Sequence, residues 1–154
     1  MDGSNLQNYI PCKMRLALLS FLLVFLISAS ESEKHYTLTI KVDNIKSVKG
    51  IMEISVYKDP SKFPKVGQTY RMARVKVEGH TVSYTFEHLE SDDYAVALFH
   101  DVNSNKVCDK NFFGIPTESY GFSTNFKPIL SAPEFEDCDF ELTCDRSLTI
   151  HLIH

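Results

Sequence analysis

A chain of 154 residues with 16 lysines and arginines against 20 aspartates and glutamates carries a formal net charge of −4. That mildly acidic balance, with no basic run, argues against nucleic acid or an anionic membrane surface as a partner. The length suits one domain large enough to bury a core.

Residues 1–30 read as a signal peptide. Lys13 and Arg15 precede Leu16 to Ile27, an apolar run of twelve residues. A helix of that length reaches about 18 Å, short of the roughly 30 Å hydrocarbon core of a bilayer. Ser28-Ala29-Ser30 then offers small residues for cleavage. Met14 is a natural start for such a peptide, which makes residues 1–13 an upstream extension. Cleavage leaves residues 31–154 as one domain, secreted or periplasmic, with no stable membrane insertion and an unknown extracytoplasmic ligand or protein as partner. That compartment permits disulfides. Cys138 and Cys144 flank a short polar turn and form the expected pair. Cys108 is then a buried thiol, a link to another chain, or the true partner of one of the other two.

From residue 36 onward the chain alternates with period 2. Tyr36, Leu38, Ile40 and Val42 share one strand face. Lys49-Gly50 signals a turn into Ile51 to Tyr57, which Asp59-Pro60 ends because proline lacks the amide donor of a central strand. Arg71 to Val77 alternates again, and Glu78-Gly79 reads as a hairpin turn into His80 to Leu89. Tyr94 to Phe99 is continuously apolar and reads as a central strand covered on both faces. Asp137 to Leu142 and Ser147 to Ile153 complete about seven strands, with no convincing amphipathic helix. The expected class is all-β: an antiparallel β-sandwich, immunoglobulin-like or transthyretin-like. Residues 112–134 are less regular and leave room for a short helix or lid.

The segment from His100 to Ser123 is long, polar and irregular. Asp101, Asn103, Asn105 and Asp109 stand at offsets 1, 3, 5 and 9. Oxygens at alternating positions of a curled loop converge on one point, which is how calcium is caged. The candidate metal ligands are Asp101, Asn103, Asn105, the Val107 carbonyl, Asp109 and Glu118. The match to the helix-loop-helix calcium motif is incomplete. Its sixth position is Lys106 instead of Gly, and its twelfth is Phe112 instead of Glu. The competing reading needs no metal, because Asp and Asn side chains hydrogen-bond their own backbone two residues on. A transition-metal site using His100 and Cys108 lacks paired spacing.

The second half of the segment sets Gly114, Pro116 and Gly121 among Phe112, Phe113, Tyr120 and Phe122. Glycine and proline fix a sharp path. The four aromatics are candidate ligand-binding residues, or they plug the end of a sandwich. An enzyme of hydrolase type ranks third. His100, Asp109 and Glu118 would have to meet in one pocket, and no nucleophile elbow, phosphate loop or two-histidine zinc motif occurs.

Along this segment the chain resembles an exported bacterial family catalogued as domain of unknown function 2141. The run is Tyr94-Ala95-Val96, then His100-Asp101-x-Asn103-x-Asn105, Asp109, Phe113-Gly114-Ile115-Pro116-Thr117-Glu118 and Tyr120-Gly121-Phe122-Ser123. Lys49-Gly50, Val56-Tyr57 and Pro133-x-Phe135-Glu136-Asp137 fit as well. The resemblance implies an exported β-sandwich and no particular activity. Asp101 to Asp109 is also similar to calcium loops in the β-sandwich repeats of bacterial adhesins. Cys108 and Cys138 depart from the family pattern, which raises a Cys108–Cys138 bond as an alternative pairing that would leave Cys144 free.

Overall fold

The computed structural model describes residues 34–129 and 131–154. The signal-peptide segment 1–30 lies outside the described residues. Among the described residues eight strands form two sheets: β1 (His35–Asp43), β2 (Ile51–Tyr57), β3 (Arg71–Lys76), β4 (Val82–Glu90), β5 (Asp92–Asp101), β6 (Tyr120–Phe122), β7 (Phe140–Leu142) and β8 (Arg146–His151). The remaining helical structure among the described residues is three short 3-10 turns. The first sheet has the order β4-β1-β8. The second runs β3-β2-β5-β6, with β7 also paired to β5.

The alternating pattern of β1 buries Leu38, Ile40 and Val42 completely. They meet Met52, Ile54 and Val56 of β2 and Val96 and Leu98 of β5 in one apolar cluster drawn from both sheets. Burying side chains of this size contributes roughly 1.5–3 kcal/mol each. Of the ten β5 residues, Tyr94 to Ala97 and Leu98 to Asp101 are buried or nearly so, as the continuous apolar run implies for a strand covered on both faces. β2 is covered on both faces too, which its alternating sequence does not suggest. Its outward residues Glu53, Ser55 and Tyr57 lie beneath the long connections rather than in solvent.

Three expectations are corrected. The strand pairing is not wholly antiparallel: β1 runs parallel to β8, from Leu38↔Arg146 to Asp43↔His151. The Glu78-Gly79 segment is not a hairpin turn. β3 pairs with β2 and β4 pairs with β1, so the segment crosses from one sheet to the other. Its hold on the structure is local: Val77 is buried and donates to the Gly50 carbonyl, and His80 Nδ1 bonds the Ile45 carbonyl at 2.8 Å. The eighth strand is Tyr120–Phe122, where a loop was expected, and it pairs with Ala97 to Phe99. Gly121 therefore makes no turn. A Cβ there would lie 2.7 Å from Ile150 Cγ2, so glycine permits β6 to pack closely under β8.

No disulfide joins the cysteines of the described residues. Cys108, Cys138 and Cys144 are all free thiols. Between Cys138 and Cys144 runs β7, whose pairing with Asp92 to Tyr94 holds it extended. Cys138 is instead buried in a second cluster with Tyr57, Phe63, Ala95, Phe122 and Phe135. Phe63 stands edge-on to Tyr57 at 5.2 Å and to Phe135 at 5.9 Å.

Burial pushes the Cys138 thiol up to about 12, with Asp137 and Asp139 adding to the rise. It pushes the Tyr57 and Tyr94 hydroxyls up to about 12 as well. The folded protein thus keeps three protons that the unfolded chain releases from the ordinary thiol value of 9.0 and tyrosine value of 10.0 upward. Their contribution is complete below those values and declines as pH rises toward 12. Each group adds a slope of at most about 1.4 kcal/mol per pH unit in its window. The urea midpoint is expected to fall steadily from pH 9 upward, and to fall less steeply in Cys138→Ala and Tyr57→Phe. An unchanged slope in both variants would refute the assignment.

Candidate functional site

β5 ends at Asp101, and the chain then curls back to β6 through residues 102–119. Asp101 is 1 % exposed, and both of its carboxylate oxygens are used. Oδ1 accepts the Asn105 amide at 3.1 Å and Oδ2 the Lys106 amide at 2.7 Å. Asn103 Oδ1 accepts the Asn105 amide at 3.0 Å, and Asn105 Oδ1 accepts the Val107 amide at 2.8 Å. These are the two-residue side-chain turns that Asn and Asp favour. Ser104 and Lys106 take positive φ to close the curl. Asn103 Nδ2 and Asn105 Nδ2 then donate to the Asp109 carboxylate at 2.7 and 3.1 Å. Glu118 ties the two ends of the curl together. Its Oε1 accepts from Val102 N at 3.0 Å and its Oε2 from Asp109 N at 3.2 Å.

Five of the six expected ligand residues therefore meet through their side chains in one hydrogen-bonded cluster. Val107 joins through its backbone amide, while its side chain is exposed. Every charged oxygen of Asp101 and Glu118 faces a backbone N–H. Among the described residues no group of three or more His, Cys, Asp or Glu side chains is placed to hold a metal ion.

Beyond the curl, residues 109–117 form a small hairpin. Thr117 N bonds the Asp109 carbonyl and Asn111 N bonds the Ile115 carbonyl, both at 2.8 Å. Asn111 Oδ1 accepts from Phe113 N and Ile115 N at 3.0 Å, and Gly114 supplies the positive φ of the tip. This tip carries Phe112 and Phe113 out into solvent, at 96 % and 82 % exposure.

The hairpin, with Pro128, Ile129, Ser131 and Ala132, borders an open cavity of about 460 Å³ over the outward face of β2 and β5. Its floor is Glu53, Ser55, Tyr57, Ala97 and Phe99 from the second sheet, with Tyr120 and Phe122 of β6 alongside. Cys108, Lys110, Phe113, Ile115 and Pro116 come from the curl and hairpin; Val66 and Ile129 come from other connections. Phe113, Tyr120 and Phe122 thus line a common space, and Phe112 does not. The floor residues went unrecognised in the sequence because Glu53 and Ser55 read as the solvent side of an alternating strand. Burial raises the Cys108 thiol above its ordinary range, with the Glu118 carboxylate adding to it.

None of His100, Asp109 and Glu118 lines the cavity. His100 is buried and its Nε2 bonds the Lys49 carbonyl at 2.7 Å, which pins the Lys49-Gly50 turn to the end of β5.

The chain belongs to the family described as uncharacterized protein conserved in bacteria (DUF2141), which matches residues 40–150. That span takes in most of β1 through β8, including the curl, the hairpin and the cavity floor. No curated protein and no solved structure matches the chain. Among the described residues no helix is long and apolar enough to cross a membrane.

Proposed function

We propose that this is an exported, non-enzymatic β-sandwich, immunoglobulin-like or transthyretin-like, that binds a small and largely apolar ligand outside the cytoplasm. The observation that carries the reading is the cavity over the second sheet, rimmed by apolar side chains that water would otherwise wet. Val66, Phe113, Ile115 and Ile129 all line it and all are more than half exposed. A cavity of that size falls within the range of small-molecule sites. Clustered exposed apolar side chains on a single domain mark interaction surfaces. The Asp/Asn curl serves as the scaffold that holds the hairpin over the floor. Export is supported by the basic residues and short apolar run before residue 30. The non-enzymatic reading is supported by the engagement of His100 and Glu118 in backbone hydrogen bonds.

The test uses N-phenyl-1-naphthylamine, a neutral probe whose fluorescence rises in apolar surroundings. We expect saturable enhancement with the wild-type domain. We expect it to be lost in Ala97→Leu, which puts bulk on the cavity floor opposite Ser55, while the melting temperature changes little. Enhancement that does not saturate, or that survives Ala97→Leu, overturns the binding reading.

A second reading concerns the curl itself: it is a weak calcium site. It is favoured by the convergence of Asn103 and Asn105 on Asp109. Turning the two side-chain amides over, at the loss of the bonds their oxygens accept from the Asn105 and Val107 amides, would present those oxygens beside that carboxylate, the arrangement a hard cation takes. Affinity on the order of 10⁻⁴ to 10⁻³ M is expected, as in extracellular modules. Calcium at 100 times its dissociation constant would then add about 2.7 kcal/mol. A melting temperature indifferent to EDTA and to millimolar calcium, in wild type and in Asp109→Ala alike, would eliminate it.

A further inference from the structure

The cavity floor carries a chemical preference. Glu53 lies on the outward face of β2 with its side chain only 6 % exposed. Directly across the strand pair stands Arg74. Both Arg74 Nε and Arg74 Nη2 lie 2.8 Å from the same oxygen, Glu53 Oε2. Among the described residues nothing donates to Glu53 Oε1. That oxygen keeps contact with solvent, since no buried side-chain oxygen of the described residues lacks a partner, and it is open to a donor from a ligand. Beside it Ser55, 6 % exposed, offers a hydroxyl that can accept or donate. Tyr57, also on the floor, gives its hydroxyl proton to the Lys65 carbonyl at 3.2 Å.

Charge is distributed unevenly through the cavity. Glu53 and Lys110 are the charged residues that line it. Lys110 is exposed on the hairpin, where water and salt screen it. Arg74 reaches Glu53 without lining the cavity itself. The acceptor, paired with Arg74, is thus the less exposed of the two charges that line the cavity, and Lys110 the more exposed.

We propose that the cavity takes an amphiphile whose head group donates hydrogen bonds to Glu53, an amine foremost, and whose apolar body lies under Phe113, Ile115 and Ile129. This rests on the reading of the cavity as a ligand site and names the class of ligand. An anionic head would set a second carboxylate against Glu53 in a poorly hydrated space, where like charges repel and both lose solvation.

The test is calorimetric titration of the mature domain with n-octylamine, n-octanol and n-octanoate, one chain length with three heads. Octylamine is expected to bind at least about tenfold more tightly than octanoate, with octanol between, since a tenfold ratio is the least that separates a specific head-group contact from partition of the tail. Glu53→Gln is expected to collapse the ratio toward unity. Glu53→Asp keeps the charge but withdraws the oxygen by one methylene, and is expected to narrow the ratio; it serves if Glu53→Gln does not fold. Octanoate binding wild type as tightly as octylamine overturns the proposal, as does a ratio that survives Glu53→Gln. The naphthylamine probe separates the two levels. If it binds and the amine does not outbind the carboxylate, only the head-group assignment falls. If neither it nor any octyl compound binds, the ligand site itself falls.

Discussion

Asp101→Ala is expected to destabilise the domain by about 3 kcal/mol, because hydrogen bonds to a charged acceptor contribute roughly 1.5–3 kcal/mol each and Asp101 accepts two. Its oxygens hold the Asn105 and Lys106 amides at 3.1 and 2.7 Å. Both donors belong to residues that exist in this conformation only because the curl is closed. Lys106 also sits at a φ of 65°, which a lysine adopts at a cost of about 1–2 kcal/mol. Removing the carboxylate frees the segment to abandon that strain. The loss is therefore local as well as global: amides 103–109 should exchange rapidly, and the hairpin above them should lose its fixed place over the cavity. Asp101→Asn keeps one acceptor oxygen at the same position and should cost roughly half as much. Urea denaturation gives the free energies, and hydrogen exchange reads the curl. Equal stability of Asp101→Ala and wild type would show that the curl does not depend on this carboxylate.

The same residues show how far the fold can be read before a structure is known. Period-2 alternation places β1 and β2, and a continuous apolar run picks out β5 as doubly covered, because both are consequences of what each face touches. The curl is legible because Asp and Asn at spacing two act on their own backbone, a property of the local sequence. What escapes is long-range. β6 is three residues in a polar, glycine-containing stretch, and it is a strand only because the edge of β5 offers Ala97 to Phe99. The parallel β1–β8 pair joins residues more than a hundred positions apart, and no local pattern distinguishes it from an antiparallel one. Aromatics at 113, 120 and 122 announce a surface of interest. The floor they face comes from β2, some sixty residues earlier, where Glu53 and Ser55 carry the signature of solvent exposure. They are buried because the loops fold back over them, and loop placement is the least local property of the chain.

Gly50→Ala is expected to be the most damaging of the substitutions considered, at about 4 kcal/mol or more, since strain at a positive φ adds to an overlap with backbone that cannot move aside. Gly50 has a φ of 78°, and a Cβ built there would lie 2.2 Å from the Asp101 carbonyl oxygen and 2.8 Å from Val102 Cα. Those atoms are the root of the curl. The Gly50 carbonyl also accepts the Val77 amide, and His100 clamps the adjoining Lys49 carbonyl. A methyl group therefore forces apart the point at which the β1–β2 connection, the sheet crossover and the curl are joined. Gly114 separates the two causes. It has the same φ of 78°, yet a Cβ there meets nothing within 4 Å. Gly114→Ala should thus show the strain alone, about 1–2 kcal/mol, and leave the exchange of amides 103–109 unchanged. If the two glycines gave equal losses, close packing at the curl's root would not be what Gly50 provides. If Gly50→Ala is the costlier and also accelerates exchange at Asn105 and Lys106, the turn before β2 supports the candidate site from fifty residues away.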